Sequence, residues 1–243
     1  MKETLIKHKL LKGVLSIAAV MVMAAGCAST KITDREQLVT GQLPRPAQIW
    51  VYDFAATPAD VPAESALAGQ ATLDVTSQTD DQVALGRELG AQIATELVNL
   101  IRGMGMPAEH GETESTWQIN DIVLRGYLIS IKQGSEVQRI GIGLGAGASN
   151  LKAAVEGFQV TAQGLRKLGS GSTDAGGSKT PGMAVGAAML LASGNPAGLI
   201  LSTGMKVYGE ESGRSKVEGR AEQTAKEIAD VLKQRFKEQG WLN

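Results

Sequence analysis

Two stretches of the chain repeat apolar residues with the period of a helix, and the residues between them alternate with the period of a strand. The first stretch runs from Asp80 to Arg102, with Leu85, Leu89, Ile93, Leu97, Leu100 and Ile101 on one stripe and Glu88, Gln92, Thr95 and Asn99 on the other side. Thr79 and Gln82 have capping-box spacing at its start, and Gly103, Gly105 and Pro107 end it. Gly86, Gly90 and Ala94 recur every fourth residue beside the stripe, where small side chains let a helix approach its partner closely. The second stretch runs from Val217 to Gln239, with Ala221, Ala225, Ile228, Leu232 and Phe236 on one face and Glu222 and Lys226 as an i,i+4 pair. Gly240 sits at the expected C-terminal cap, and Trp241 is placed to fold back onto the core.

Between and before these helices the pattern predicts strands. Ile49–Phe54 carries apolar side chains on both faces, with Asp53 as the exception, and reads as a central covered strand. Trp117–Ile119 reads as a short strand, and Ile122–Ile131, rich in β-branched residues, as a longer one. Val137–Ala148 and Leu151–Ala162 follow across turns, as an antiparallel meander. Residues 55–79 form a long polar connection, and 164–181 a loop dominated by Gly, Ser and Thr. The expected fold is an α/β (α+β) sandwich in the order β-α-β-β-β-α. Its sheet is small, mostly antiparallel and about four-stranded, with both amphipathic helices on one face.

Residues 1–26 stand outside that fold. Lys2, Lys7, Lys9 and Lys12 precede an apolar run from Gly13 to Ala25, the layout of a secretory signal peptide. The run is shorter than the roughly 20 residues needed to span a bilayer. It ends in Ala24-Ala25-Gly26-Cys27, which resembles the lipobox of bacterial lipoproteins. The resemblance implies diacylglycerol on Cys27, cleavage before it and acylation of the new N-terminus; the other reading is an ordinary signal peptide followed by a free cysteine. Ala28 stands where an Asp would favour inner-membrane retention in enterobacterial lipoproteins, which points to the outer membrane. Residues 27–46, with Pro44 and Pro46, read as a lipidated tether, and 47–243 as one periplasmic domain with a Gly/Ala-rich insertion at 164–206.

Composition narrows the function. The 243 residues hold 24 Lys+Arg and 25 Asp+Glu, so the chain lacks the basic footprint of a nucleic-acid binder. Removing residues 1–26, with four Lys and one Glu, leaves 20 basic and 24 acidic residues and one histidine, His110. One cysteine permits no intrachain disulfide, and with so few histidines a Cys/His metal cluster or Cys/His catalysis has no material. No nucleophile elbow, HExxH or P-loop spacing occurs, and His110 lies in the charged run Glu109-His110-Gly111-Glu112, which reads as solvated surface. The expectation is a protein that is not an enzyme and uses no cofactor.

Two glycine patterns remain. Gly141, Gly143, Gly145 and Gly147 alternate with apolar residues. Read from Gly143 to Ala148 they imitate a dinucleotide fingerprint, but Glu156 comes too early and Asp174 too late for its ribose-binding acid, and an exported protein meets little NAD. Read with period two, they give a strand one bare face that admits another backbone or helix, within the molecule or from a second subunit. The segment 180–205 carries no charge and places Gly182/Gly186 and Gly194/Gly198 at GxxxG spacing around Asn195-Pro196. It reads as a short buried or mobile Ala/Gly-rich insertion, as a hairpin contacting membrane or another subunit, or as a single span.

The stretch VLRGYLISIKQGSEVQRIGIGLGAGASNL (123–151), with the closing helix and EQGW (238–241), resembles the uncharacterised bacterial lipoproteins of the domain-of-unknown-function family numbered 4410. The resemblance covers about 49–242 and implies no catalytic residues, since that family has no assigned activity. Its element order is also similar to the periplasmic domains of curli-secretion lipoproteins and to the TolB N-terminal domain, a likeness of fold alone. The functional expectation is an outer-membrane-anchored periplasmic lipoprotein, a structural or assembly component of an envelope complex. It would contact the membrane through its lipid, and itself or other envelope proteins through its surface. The alternative is a monomeric periplasmic binding module for a ligand or the cell wall.

Overall fold

Ile122–Lys132 (β4) is the strand on which the sheet is built. The computed structural model describes residues 33–61, 78–112, 115–132, 149–176, 206–208 and 214–243. Along one edge β4 pairs antiparallel with Asn150–Thr161 (β5), which pairs antiparallel with Gly164–Gly176 (β6). Thr33–Gln37 (β1) pairs antiparallel with the far side of β6. Along its other edge β4 pairs parallel with Ile49–Val51 (β2), bridges to Ala55, then pairs parallel with Lys206–Tyr208 (β7). Ala108–His110 (β3) lies parallel to β2, so the path across the sheet is β1-β6-β5-β4-β2-β3, with β7 beside β4.

The long helix Asp80–Gly103 (α1) connects β2 to β3, the crossover that parallel neighbours require. Arg214–Glu238 (α2) packs against α1 and over β5 and β6, so both helices lie on one face of the sheet. Leu89, Ile93, Leu97 and Ile101 of α1 meet Ile49, Val51 and Leu124 of the sheet and Ala221, Ala225 and Ile228 of α2 in one core. The α+β sandwich expected from the two stripes is therefore the fold. Its long strands are antiparallel; the parallel pairs involve strands of three residues.

The helix ends follow the sequence signals closely. Thr79 Oγ1 accepts from Gln82 N at 3.3 Å while Gln82 Oε1 accepts from Thr79 N at 3.1 Å, a reciprocal cap. At the other end of α1, Gly105 takes φ +82° and the N–H of Met106 reaches the Ile101 carbonyl at 3.3 Å. The end of α2 is built alike: Gly240 has φ +71°, Gly240 N donates to the Lys237 carbonyl at 2.9 Å, and Trp241 N to the Phe236 carbonyl at 2.8 Å. This double bond pattern closes a helix when its first residue beyond the cap is left-handed. It turns Trp241 back onto Phe236, with ring centroids 5.5 Å apart, and Trp241 is buried.

Four features differ from expectation. Residues 164–176 are not loop but strand β6, bonded on both sides, to β5 and to β1. Their Gly, Ser and Thr content lowers strand propensity, yet small residues suit a strand lying under α2, and its two neighbours complete the backbone hydrogen bonding. The proposed tether 27–46 is structured from Thr33 onward. Leu38 N donates to the Leu168 carbonyl at 3.0 Å, Leu43 N to Gln239 Oε1 at 2.6 Å, and Arg45 spans the Trp241 and Gly105 carbonyls, each at 3.1 Å. Trp117–Ile119 forms no strand; Asn120 at φ +77° makes a turn there, with Asp121 N donating to the Gln118 carbonyl at 3.0 Å. Strand β2 stops at Val51, three residues short of the expected end. The leader, the predicted strand 137–148 and the uncharged segment 180–205 lie outside the described residues.

The turn before β4 owes its shape to Asp121, a carboxylate only 1% exposed. Oδ1 accepts from Gln48 N at 3.1 Å; Oδ2 accepts from Trp50 Nε1 at 3.0 Å and from Gln118 N at 2.9 Å. All three donors are N–H groups, so an amide in its place sets one donor against another. Asp121→Asn is expected to cost about 1–2 kcal/mol, measurable as a lower urea midpoint at unchanged slope.

Candidate functional site

The sheet face turned away from the helices carries the polar chemistry. Successive residues of β4 point to opposite sides: Ile122, Leu124 and Leu128 enter the core, while Arg125 and Tyr127 face the other way. The β4–β5 register sets Arg125 opposite Glu156 and Tyr127 opposite Ala154. Glu156 is 6% exposed and accepts from Tyr127 Oη at 2.9 Å and from Lys167 Nζ of β6 at 2.8 Å.

Arg125, 5% exposed, is held among three aromatic rings. Its guanidinium carbon lies 5.9 Å from the Tyr52 ring centroid, 5.9 Å from Trp117 and 5.7 Å from Phe158. Those distances suit cation–π attraction, which gains strength as water is excluded. The rings are themselves fastened: Trp117 Nε1 donates to Tyr52 Oη at 3.0 Å, Tyr52 Oη donates to the Glu112 carbonyl at 3.3 Å, and the Tyr52 and Trp117 rings meet edge to face. A buried cation thus stands beside a buried carboxylate, the arrangement in which charges tolerate removal from water.

A hydrogen-bonded pair and an ion pair flank this cluster. His110 Nε2 on β3 lies 2.7 Å from Asp53 Oδ1, just beyond the end of β2. Asp60, in the short helical turn Pro58–Asp60, accepts from Thr57 N and Thr57 Oγ1, both at 2.9 Å, and pairs with Arg87 of α1 at 2.8 Å. The hydrogen bond and the charge of Asp60 hold the Arg87 guanidinium above its ordinary pKa. Between these groups opens a polar cavity of about 390 Å³, lined by Tyr52, Asp53, Asp60, His110, Arg125 and Tyr127 among others.

Close packing of backbone and ring sets this geometry. A Cβ built on Gly90 of α1 would stand 2.3 Å from the Phe54 carbonyl oxygen, and one on Gly126 of β4 would stand 2.2 Å from the Phe54 ring. Phe54 is therefore clamped between two glycines, which places Asp53 and Tyr52 at the cavity. The close approach expected of Gly90 exists, and its partner is the chain leaving β2.

None of the residues expected from the sequence to carry lipid or to make close contacts between subunits falls in this site, whereas Asp53 and His110, read as an exception in a strand and as solvated surface, both line it. Cys27, Gly141, Gly143, Gly145, Gly147, Gly182, Gly186, Gly194 and Gly198 lie outside the described residues. His110 is exposed as expected, but its pairing with Asp53 had no signal beyond the odd carboxylate among apolar neighbours in Ile49–Phe54. Among the described residues no three His, Cys, Asp or Glu side chains gather as a metal site, and no helix is long and apolar enough to cross a membrane.

Residues 49–194 match the model of a protein family described as a domain of unknown function (DUF4410). No curated protein matches the chain. Among solved structures, similarity extends to the PelC dodecamer of Paraburkholderia phytofirmans, at 16% identity over 67% of this chain and 96% of that one, with a TM-score of 0.33. A variant of the same PelC dodecamer gives 14% identity over 72% and 98%, with a TM-score of 0.35.

Proposed function

The chain belongs to the DUF4410 family, and, that family having no assigned activity, we propose from the residues themselves that it is an outer-membrane-anchored periplasmic lipoprotein acting as a structural or assembly component of an envelope complex. The observation that carries this reading is Ala24-Ala25-Gly26-Cys27 at the end of a basic-then-apolar leader. The fold supplies a consequence. Among the described residues paired chain begins at Thr33, and five residues, 28–32, lie between Cys27 and that strand. Even fully extended, that link spans about 20 Å, and a lipidated Cys27 would hold the domain against the membrane surface.

The site's charges favour contact over catalysis. Glu156 is engaged by Tyr127 and Lys167, Asp53 by His110, and Asp60 by Arg87. The proposed partners are envelope proteins or further copies of this chain, through the glycine-rich segments around 141–147 and 182–198. The experiment is metabolic labelling with an alkyne-bearing palmitate, followed by native mass measurement after mild extraction. Cys27→Ser is expected to abolish labelling and to leave the leader uncleaved by the lipoprotein peptidase; unchanged labelling would overturn the anchor. A discrete multimer or a stable hetero-complex supports the assembly role. A clean monomer supports the second reading, a periplasmic binding module, which the cavities in the domain favour.

A further inference from the structure

A second cavity lies on the opposite side of the sheet, under α2, and its chemistry is different. It holds about 160 Å³ between the strands and the helix. Leu124, Val155 and Leu168 form its floor, Ile228 and Leu232 its wall, and Leu43 borders it from the segment strapped down by Gln239 and Trp241. The cavity exists because β6 presents Gly169 and Gly171, and β5 Gly157, where α2 passes over. A sealed apolar cavity of roughly 150 Å³ accepts a six-carbon apolar molecule; this one is open along one side, so a chain of that size could lie in it with a polar head toward water.

Among the described residues one charged side chain lines this cavity, that of Arg235. Its side chain is 26% exposed, and its Nη1 donates to Glu238 Oε2 at 2.7 Å. That bond uses one of five guanidinium donors, which lie in a planar fork matched to a carboxylate. Gln37 and Gln239 flank it, each with its side-chain amide already bonded to backbone: Gln37 to the Val39 carbonyl, Gln239 to Leu43 N and the Gly41 carbonyl. The two ring side chains at the cavity end, Phe236 and Trp241, pack on one another, and the rest of the apolar lining is aliphatic, with Arg235 at the open edge.

We propose that this cavity binds a medium-chain carboxylate, an unbranched saturated acid of about six to eight carbons, with its tail among Val155, Leu168 and Leu232 and its head on Arg235. The proposal goes beyond the anchor reading and does not depend on lipid at Cys27.

The test is photolabelling of the full chain in lipid nanodiscs with an octanoate carrying an aliphatic diazirine, with labelled peptides mapped by mass spectrometry. The expected result is saturable labelling within residues 228–236 and 155–171, displaced by octanoate and at least tenfold less well by octylamine, whose head carries the opposite charge. Arg235→Gln should weaken displacement about tenfold with the tail site intact. Glu238→Gln, which frees the guanidinium, should strengthen it severalfold. Gly157→Val should block the cavity: a Cβ at Gly157 meets Leu124 Cδ2 at 3.6 Å, an ordinary contact, so the strand accepts the side chain and the space is filled. Equal displacement by octanoate and octylamine, indifference to Arg235→Gln, or labelling confined to other peptides would overturn the proposal. Arg235→Gln is a partly exposed change that leaves the core untouched, so the test survives should Gly157→Val fail to fold.

Discussion

Gly90→Ala is expected to destabilise the protein by about 3 kcal/mol, at the upper end of what one added methyl costs in a packed interior. Inside a helix the same change ordinarily gains about 1 kcal/mol, because alanine has the highest helix propensity and glycine among the lowest. The sign reverses because of what the methyl meets. It would stand 2.3 Å from the Phe54 carbonyl oxygen and 3.2 Å from the carbonyl carbon, both backbone atoms that no rotamer change can move aside. Phe54 N also donates to the Gly90 carbonyl at 3.4 Å, so helix and chain are bonded where they touch. Relief requires α1 to lift from the sheet, loosening Leu89 and Ile93 on either side of the contact. Gly219 supplies the control. It lies within α2, is exposed, and a Cβ there meets nothing within 4 Å; Gly219→Ala is expected to stabilise by about 1 kcal/mol. Opposite shifts in the thermal midpoint, downward by roughly 6–12 °C and upward by roughly 2–4 °C, would establish that the Gly90 contact rather than helix propensity decides. A gain at both positions would show that the helix and the chain after β2 are less closely apposed.

The elements with strong local signals are legible in the sequence. Helix α1 has a stripe of bulky apolar residues and a reciprocal cap, and α2 ends in Gly240-Trp241; both signals act through neighbours a turn away, and both helices form where they predict. Strand β4 is dense in β-branched residues and was legible for the same reason. Strand β6 was not, because its stability comes from pairing with β5 and β1 and from lying under a helix, none of which its Gly-Ser-Gly-Ser run displays. Strand β1 is equally obscure: Thr-Asp-Arg-Glu-Gln reads as polar linker, yet charge is what a strand at the edge of a sheet carries to deter further pairing. The site was less legible than the fold. Arg125 and Glu156 lie 31 positions apart, and only the register of two long strands sets them opposite one another. Asp53 and His110 meet because a whole helix intervenes between two parallel neighbours. Such pairs are products of topology, which a single sequence encodes through its core and not through the residues that meet.

Glu156→Ala is the variant expected to unsettle that site most, at a cost of about 3–5 kcal/mol. The carboxylate is the anion in a buried row that contains two cations. Removing it takes the carboxylate from beside Lys167, whose side chain is 19% exposed, and Arg125, 5% exposed. It also strips Tyr127 Oη, in a residue 2% exposed, of the acceptor 2.9 Å away. Comparison variants separate these effects. Tyr127→Phe removes one neutral donor and is expected to cost about 1 kcal/mol. Glu156→Gln keeps an acceptor and the shape while deleting the charge, and should fall between the two. Lys167→Met placed on Glu156→Ala removes the cation that had paired with Glu156 and should restore part of the loss, since the charge left behind rather than the lost pair dominates when one partner of a buried pair is deleted. The measurements are urea unfolding midpoints and the fluorescence of Trp117, whose ring lies 5.9 Å from the guanidinium of Arg125. If Glu156→Ala and Tyr127→Phe cost the same, the ion row contributes little beyond one hydrogen bond, and the aromatic rings around Arg125 suffice to hold the cation. If Lys167→Met recovers stability as expected, the far face of the sheet is a charge-balanced surface whose three strands are kept in register by Glu156.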